Sequence, residues 1–353
     1  MIRYQQMKIL GIESSCDETA ASVVQDGRIL LSNVINSQID IHAVYGGVVP
    51  EVAARSHIEV INPVINQALT DAKLTWYDID AIAVTYAPGL IGSLLVGTLA
   101  ARTLAVLKNK PLYPIHHVEA HVYANFLNKN EPKFPILALI VSGGHCQLVL
   151  FRDHGDYELL GQTQDDAVGE AFDKVAKIIG LPYPGGPSIA KAAISGNPKA
   201  YKLPKAKLSG KYDFSFSGLK TAVLRAVQRE VGVDFTFPSS GLSERLNDIQ
   251  RVDFAASFQR TAIETLVDKT KTAFDDFNPN SVVIAGGVAA NQELRRILSD
   301  RIPLPIEYAP MDLCTDNAAM VATLGYYYAQ KKNPTNPFEV EVIPSLSMTK
   351  TTW

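Results

Sequence analysis

A repeated arrangement of strand-forming segments is the sequence feature that most constrains the fold. The segment MKILGIESSCDETAASVVQDGRILLS, near the start, predicts a strand, a polar turn, a second strand, a turn at residues 26–27 and a third strand. Residues 135–161 repeat this order, with turns at 142–145 and 154–155. Each block is followed by sequence that favours a helix, at residues 50–69 and 165–179. A β-β-β-α unit that occurs twice predicts two related α/β domains around a central cleft.

The domain limits follow from two further segments, residues 82–107 and 281–296. Each predicts a buried strand that ends in a glycine turn and leads into a helix, an arrangement that places ligands at the carboxyl end of the strand. We predict a first domain at 1–112 joined by a C-terminal helix at about 316–330, a second domain at 113–325, and an extended tail at 331–353. The most apolar stretch, residues 90–107, is predicted to be a buried helix rather than a membrane span.

Composition excludes several classes of protein. The chain has 353 residues, of which 47% are hydrophobic, so disorder and a disulfide scaffold are excluded. Its three cysteines lie far apart and its N-terminus resembles no signal peptide, which predicts a soluble cytosolic protein with reduced thiols. A net charge of −3 argues against a protein that coats nucleic acid. Binding of RNA would need a local basic patch, and the five lysines within residues 199–211 are the candidate.

The segment PIHHVEAHVY carries the sharpest chemical signal. His117 and His121 are four residues apart, so a helix places both imidazoles on one face, where they could bind a metal ion. Pairs of this spacing also occur without a metal, and the pair alone leaves both interpretations open. The segment matches neither HExxH nor HxxEH, so it offers no glutamate to activate a metal-bound water, and hydrolysis is disfavoured.

Asp316 is the candidate third ligand of such an ion. It precedes an apolar helical run that ends near Tyr328, and spacing alone favours a role as the N-cap of that helix. The two roles are compatible if the start of the helix faces the site.

Glycine turns at three places could bring backbone N–H groups close to an anion. Each leads into a helix start, which favours negative charge, so together they indicate a nucleotide site. The turns contain Ser142, Gly143 and Gly144, then Gly185 and Gly186, and then Gly286 and Gly287. The sequence has no GxxxxGK[ST] or GxGxxG motif, which disfavours a P-loop and a dinucleotide fingerprint.

Two further polar residues have competing interpretations. Asp173 could accept a hydrogen bond from a ribose or substrate hydroxyl, although its spacing favours an ion pair with Lys177. Asn291 could equally cap the helix that follows it or contact a ligand.

A series of motifs resembles one known family over residues 8–328. In order, these motifs are IESSCDETA, HAVYGGVVPEVAARSH, APGLIGSLLVG, HHVEAH, VSGGHCQL, GEAFDKVAK, YPGGP, FSFSGLK, AGGVAANQELR and CTDNAAM. They resemble the bacterial tRNA N6-adenosine threonylcarbamoyltransferases, the TsaD type, formerly called O-sialoglycoprotein endopeptidases. The resemblance implies a two-lobed actin/Hsp70-like (ASKHA) fold. It also implies transfer of the threonylcarbamoyl group from L-threonylcarbamoyl-AMP to N6 of adenosine 37 in tRNAs that read ANN codons, which releases AMP.

The resemblance also implies the site residues. The implied ligands of one divalent metal ion, iron(II) first and zinc second, are His117, His121 and Asp316. The implied substrate-binding residues are Ile140, Val141, Ser142, Gly143, Gly144, Asp173, Gly186 and Asn291. No catalytic base is implied, although Asp17 and Glu18 in the first turn are candidate proton acceptors.

The implied partners are tRNA, an inactive paralogue of similar fold (the TsaB type) and a small ATPase (the TsaE type), all cytoplasmic and without a membrane. The alternative within the same fold is a kinase or ATPase that acts on a small substrate. The turn at residues 142–144 opposes this alternative because it has no Asp to hold Mg²⁺. A peptidase is opposed by the missing water-activating glutamate, and a non-enzymatic scaffold for tRNA is the remaining possibility.

Overall fold

Runs of apolar residues bounded by polar turns form ten strands within residues 6–350, the part of the chain that the computed structural model describes. The first sheet contains β1 (Lys8–Glu13), β2 (Glu18–Gln25), β3 (Ile29–Ser37), β4 (Ala81–Ala87) and β5 (Leu112–His116). The second sheet contains β6 (Ile136–Val141), β7 (Cys146–Asp153), β8 (Asp156–Gln162), β9 (Ser281–Ala285) and β10 (Ile306–Tyr308). Residues 1–5 and 351–353, the ends of the predicted first domain and tail, lie outside the described residues.

The two sheets have the same internal plan. The strand order is β3-β2-β1-β4-β5 in the first sheet and β8-β7-β6-β9-β10 in the second. In both sheets the central strand pairs antiparallel with the next strand in sequence, β1 with β2 and β6 with β7. On its other side, the central strand pairs parallel with the fourth strand, β1 with β4 and β6 with β9. The predicted α/β class and duplicated β-β-β-α unit are therefore confirmed.

Ten α-helices connect these strands within the described residues. They are α1 (Ile39–Ala43), α2 (Pro50–Asp71), α3 (Ile91–Lys108), α4 (His117–Tyr123), α5 (Val168–Ile179), α6 (Gly185–Ala193), α7 (Ser217–Glu230), α8 (Asp248–Phe277), α9 (Gln292–Arg301) and α10 (Ala318–Lys331). Local signals set their ends. Helix α8 begins with a capping box in which Asn247 and Gln250 exchange hydrogen bonds, and α5 ends at Gly180 in the left-handed conformation.

The elements form two compact units. The first contains residues 6–132, Asp153–Asp156 and 308–350, and the second contains Lys133–Arg152 and Tyr157–Glu307. Strand β5 pairs with β4 in the first sheet, although the predicted second domain begins at residue 113. The domain limits read from the sequence stay a prediction.

Gly11 on β1 explains how helix α10 reaches the middle of the first sheet. A Cβ at this position would lie 2.2 Å from the carbonyl oxygen of Ala318 and 2.7 Å from the nitrogen of Ala322. Only glycine therefore lets the first turn of α10 rest on the strand. This contact places the residues just before α10 near the end of β1.

Helix α3 differs from the buried helix that the sequence predicted. It packs on α2 and β4, but Ile91, Leu95 and Leu99 on its other face are 60%, 42% and 53% exposed. The predicted helix is confirmed, but the prediction of burial was wrong for this face, because a helix that is apolar all round gives no periodic signal of which face is covered. Among the described helices, α3 alone is long and apolar enough to cross a membrane, which is weak evidence for a span because core helices share this composition.

Candidate metal centre and substrate loop

Helix α4 presents the two predicted histidines from the inside of the first unit. Strand β5 ends at His116 and α4 begins at His117, so the helix starts where the strand leaves the sheet. All seven residues of α4 are buried. The imidazole rings of His117 and His121 lie 4.7 Å apart between centroids, at an angle of 77°. The predicted helical placement of the pair is therefore found.

Asp316 lies beside this pair and does not cap the following helix. The N-cap of α10 is Asn317, whose side-chain oxygen accepts the N–H of Met320 at 3.0 Å. The interpretation of Asp316 as the cap was wrong because its neighbour takes that role. Asp316 Oδ1 instead lies 3.6 Å from Nε2 of His117 and 3.2 Å from Nε2 of His121.

The chemistry of these three residues fits a single metal ion. Their donor atoms all lie within 4.8 Å of one another. Two ligand atoms that each lie about 2.0–2.2 Å from one such ion are about 3–3.5 Å from each other. The observed distances from Asp316 Oδ1 to the two Nε2 atoms, 3.6 and 3.2 Å, are close to this value. Two imidazoles and a carboxylate are also donors that borderline divalent metals accept. The three residues could therefore hold a metal ion, and these donor atoms are compatible with more than one divalent metal.

The contacts of His121 give the most specific support for an ion. Neither ring nitrogen of this buried residue has a hydrogen-bond partner among the described residues, although Nε2 faces Asp316. An unsatisfied buried polar atom costs about 1–3 kcal/mol. A bound cation would satisfy Nε2, so the arrangement is better explained as a ligand set than as a hydrogen-bonded network.

A buried carboxylate that the sequence analysis missed orients His117. Glu13, the last residue of β1, places Oε2 3.1 Å from Nδ1 of His117, and Ser15 Oγ lies at the same distance from that nitrogen. Thr85 donates its hydroxyl to Glu13 Oε2 at 2.5 Å. A carboxylate that holds the far nitrogen of a metal-ligating histidine fixes its tautomer and turns the near nitrogen toward the ion.

The charges of this group shift its pKa values in a consistent way. Burial alone would raise the pKa of Glu13, but the neighbouring His117 holds it below its usual value. Burial opposes the charge on His117, yet Asp316 and Glu13 raise the pKa of its imidazole to about 9. The pocket therefore favours positive charge at the point where the two Nε2 atoms meet the carboxylate.

Of the two candidate proton acceptors, Asp17 lies in the turn after β1 and Glu18 is the first residue of β2. Burial, followed by the charges of Asp316 and Asp17, raises the pKa of Glu18 to about 10. At neutral pH, such a group retains its proton and is a poor base. The side chain of Glu18 accepts a hydrogen bond from Ser37 Oγ at 3.3 Å. The role of Asp17 or Glu18 as a base stays a prediction.

The predicted substrate loop follows β6 in the second unit. Ile140 and Val141 are completely buried and pair with β7, so their side chains support the turn rather than face solvent. Ser142 closes the turn: its N–H donates to His145 O at 2.8 Å, and its Oγ accepts the N–H of His145 at 3.1 Å. Gly143 and Gly144 form the exposed tip.

Two other glycines allow neighbouring segments to approach this loop. A Cβ on Gly169, in the first turn of α5, would lie 2.6 Å from the carbonyl oxygen of Ser142. Gly286 follows β9 with φ +88°, and a Cβ there would lie 2.5 Å from the carbonyl oxygen of Val141. Segments from three parts of the second unit therefore meet at the end of β6, where they form a surface of closely packed backbone.

The remaining predicted substrate residues also lie in the second unit. Asp173 accepts the N–H of Gly185 at 2.6 Å, at the start of α6, and a Cβ on Gly186 would meet no atom within 4 Å. Asn291 caps α9, accepting the N–H of Leu294 at 3.1 Å and donating to Gln259 Oε1 at 3.0 Å. The capping interpretation of Asn291 is thus observed, while contact of these residues with a ligand stays a prediction.

Comparisons with known proteins give one consistent answer. The model of the family described as TsaD, tRNA N6-adenosine threonylcarbamoyltransferase, matches residues 29–323. A relative of that name from Thermomicrobium roseum is 53% identical over 338 residues, which cover 92% of this chain and 93% of the relative. Another from Symbiobacterium thermophilum is 52% identical over 344 residues and covers 96% of both chains.

Solved structures with low sequence identity support the fold alone. Full-length HypF in its phosphate- and nucleotide-bound form gives a TM-score of 0.60 at 13% identity, covering 94% of this chain and 57% of HypF. HypF from T. kodakarensis also gives 0.60, at 14% identity, covering 92% of this chain and 48% of HypF. The actin-like (ASKHA) fold expected from the sequence is thereby confirmed.

Proposed function

The chain belongs to the tRNA N6-adenosine threonylcarbamoyltransferase family, and we propose that it transfers the threonylcarbamoyl group from L-threonylcarbamoyl-AMP to N6 of adenosine 37 in tRNAs that read ANN codons. The products are N6-threonylcarbamoyladenosine and AMP. The observation that carries this proposal at the level of the site is the approach of Asp316 to the paired Nε2 atoms of His117 and His121. A kinase or ATPase gives no reason for this donor set.

The proposed cofactor is one divalent metal ion, iron(II) in the first place and zinc in the second, held by His117, His121 and Asp316. Such an ion supplies a Lewis acid and a template for the acyl donor. Glu13 would keep the Nδ1 proton of His117 in place, so that Nε2 stays available as a ligand. The acceptor is a weakly basic aromatic amine and AMP is a good leaving group, so orientation rather than a strong base would dominate the rate.

The proposed donor site is the backbone surface at the end of β6. The N–H groups of Gly143 and Gly144 lie in an exposed turn and could bind a phosphate or a developing oxyanion. Gly186 lies in the first turn of α6, where the positive end of the helix dipole would attract the same phosphate. We propose that Asp173 positions this helix start through Gly185 N, and that Ile140, Val141 and Asn291 hold the loops in place.

The proposed partners are tRNA, a paralogue of similar fold (the TsaB type) and a small ATPase (the TsaE type), in the cytoplasm. The exposed face of α3 supports a protein partner, since Ile91, Leu95 and Leu99 recur every four residues and share one side of the helix. Ile58 on α2, which packs against α3, is 63% exposed and extends this apolar surface. A net charge of −3 makes strong binding of tRNA by this chain alone unfavourable, which gives the partners a role.

One assay tests the proposed function. The metal-loaded chain is incubated with tRNA, L-threonylcarbamoyl-AMP, ATP and the two partner proteins, and the nucleosides of digested tRNA are analysed by mass spectrometry. We expect N6-threonylcarbamoyladenosine with the wild-type chain and none above background with His117→Ala. Full activity of His117→Ala would contradict the site. Transfer of phosphate to a small hydroxylated substrate, without tRNA modification, would instead support the kinase.

A further inference from the structure

The third histidine of the HHVEAH motif has no place in the proposed ligand set, yet its ring joins two distant segments. His116 Nδ1 accepts the N–H of Glu119 at 3.4 Å and so caps helix α4. Its Nε2 lies 3.1 Å from the carbonyl oxygen of Leu346. Because a carbonyl oxygen can only accept, Nε2 carries the proton and Nδ1 keeps the lone pair that the helix needs. A single tautomer of His116 therefore links the first turn of α4 to the C-terminal tail.

The tail segment, defined as residues 332–348, is fixed to the first unit along its length. Ile343 donates its N–H to Tyr86 O at 3.0 Å, and Pro344 O accepts the N–H of Gly89 at 3.1 Å. Val340 is only 4% exposed and belongs to the core of the first unit. The segment is therefore a packed part of the unit, and its contacts with the end of β4 and with the loop after that strand set the position of Leu346 O.

We propose that the tail segment holds helix α4 in its metal-binding orientation through His116, which makes His116 a positioning residue for the metal centre. This proposal rests on the metal site proposed above. Helix α4 has only seven residues, so its own hydrogen bonds cannot fix its direction, which is set by packing against α10 and by the contacts at its ends. His117 is the next residue after His116, so a rotation of this first turn changes the 3.6 Å distance between His117 Nε2 and Asp316 Oδ1.

The test measures metal affinity rather than catalysis. Full-length apo-protein is titrated with Zn²⁺ in competition with a chelator of known affinity, and Co²⁺ absorption reports the coordination. His116→Asn keeps a side chain that can cap α4 but is too short to reach Leu346 O. A truncation that removes residues 344–353 deletes the acceptor itself. We expect each change to weaken metal binding about 10-fold or more, the usual effect of removing a contact that orients a ligand.

Two controls make the result specific. A truncation that removes only residues 351–353 keeps Leu346 and should retain wild-type affinity. In the double variant, His116→Asn combined with the long truncation, the losses should not add, because both changes break the same contact. His116→Asn keeps the whole tail, so it tests the proposal even where the long truncation lowers stability.

The possible outcomes separate this proposal from the one on which it rests. If the wild-type chain binds no stoichiometric metal ion, the metal site itself is wrong. If the wild-type chain binds one ion and His116→Asn binds it equally tightly, the proposed positioning role of His116 is wrong and the metal site stands. Additive losses in the double variant would show that the tail acts by another route and would also overturn the proposal.

Discussion

The turns that follow β1 and β6 occupy equivalent positions in the two sheets but have opposite character. At the end of β1 and in the turn after it, the side chains of Glu13, Ser14 and Ser15 are buried. Helix α2 contacts the backbone of that turn, because Cys16 O accepts a hydrogen bond from Nε2 of His57 at 3.0 Å. After β6, the exposed tip of the turn consists of Gly143 and Gly144, and a Cβ on either residue would meet no atom within 4 Å.

This difference shows how one architecture provides two kinds of binding surface. The end of β1 and the turn after it offer side chains: Glu13 and Ser15 both contact His117 Nδ1, and under the proposed function they would orient a metal ligand. The turn after β6 exposes two glycines, and under the proposed function their backbone N–H groups would bind an anion. The strand order is the same in both units, so the separation of roles lies in the turns and not in the fold.

The largest effect should come from removing a metal ligand of the first unit. Asp316→Asn replaces the carboxylate that lies 3.2 Å from His121 Nε2, and we expect metal affinity to fall about 100-fold or more, with loss of tRNA modification. Metal content after dialysis and the nucleoside assay measure the two effects. Asp312→Asn, an exposed residue in the same segment, is the matched control. Metal retained by Asp316→Asn at wild-type affinity would contradict the role of Asp316 as a ligand.

A glycine substitution in the second unit should have a smaller and different effect. Gly143→Ala adds a methyl group where no neighbour lies within 4 Å, so the fold and metal affinity should be unchanged. If the backbone of this turn binds the donor phosphate, the Kd for a non-reactive acyl-adenylate analogue should rise about 10-fold, the loss of about 1.4 kcal/mol of binding. Gly218→Ala, at another open position, is the control. Unchanged analogue binding by Gly143→Ala would remove the contrast between the two turns.

The lysine-rich segment of the second unit gives a prediction about tRNA. Within residues 199–211, two lysines already form ion pairs: Lys205 with Glu264 and Asp268, and Lys211 with Asp276. The remaining three, Lys199, Lys202 and Lys207, are exposed. If these three contact phosphates, replacing them with Ala should reduce the slope of log K against log salt by about 2.

The paired lysines provide the matched control for that experiment. The double variant Lys205→Ala and Lys211→Ala removes charges that are already neutralised by acidic residues of α8, so the slope should change by less than in the triple variant. Filter binding of tRNA by the assembled complex at several salt concentrations measures both. An identical slope for the triple variant and the wild type would reject this segment as a tRNA contact.

The smallest expected effect concerns His154, in the turn between β7 and β8. The corresponding turn of the first sheet, between β2 and β3, contains Asp26 instead. Burial lowers the pKa of His154 to about 4, and its ring stacks on Tyr327 with centroids 3.8 Å apart. The unfolded chain, with a histidine pKa of about 6.5, takes up a proton first as the pH falls. The free energy of unfolding should therefore decrease between about pH 6.5 and pH 4.

The variant His154→Phe isolates this contribution. Between about pH 7 and pH 5, the free energy of unfolding of this variant should fall by about 1 kcal/mol less than that of the wild type. The reason is that the phenylalanine ring takes up no proton in the unfolded state. Urea unfolding at the two pH values measures the difference. Equal pH dependence of the two proteins would show that the ring of His154 is not kept neutral by its surroundings.

The sequence predicts the scaffold and two of the three proposed metal ligands for clear physical reasons. Apolar runs between polar turns locate the strands, and the four-residue spacing of His117 and His121 requires one helix face. Asp316 is a candidate third ligand in the sequence, but spacing favours it as a helix cap and only the family resemblance favours it as a ligand. Spacing could not tell whether Asp316 or Asn317 caps α10, because both residue types are good N-caps and only the start of the helix decides.

The missed features depend on contacts between residues far apart in the chain. Glu13 is a single acidic residue at the end of an apolar strand, and its partners Thr85 and His117 lie 72 and 104 residues away. The link from His116 to the tail also joins residues far apart in the chain. Which face of α3 is covered likewise depends on the distant segments that pack on it. Hydrophobic periodicity reports which residues avoid water, but it does not report which distant segment covers them.

The central claim is that His117, His121 and Asp316 bind one metal ion inside the first unit. Anomalous diffraction from crystals of the metal-loaded chain, collected on both sides of the metal absorption edge, tests it most directly. The account predicts a single peak about 2.0–2.2 Å from Nε2 of both histidines and from the Asp316 carboxylate. A metal-loaded crystal whose only peak lies away from these three side chains would contradict it.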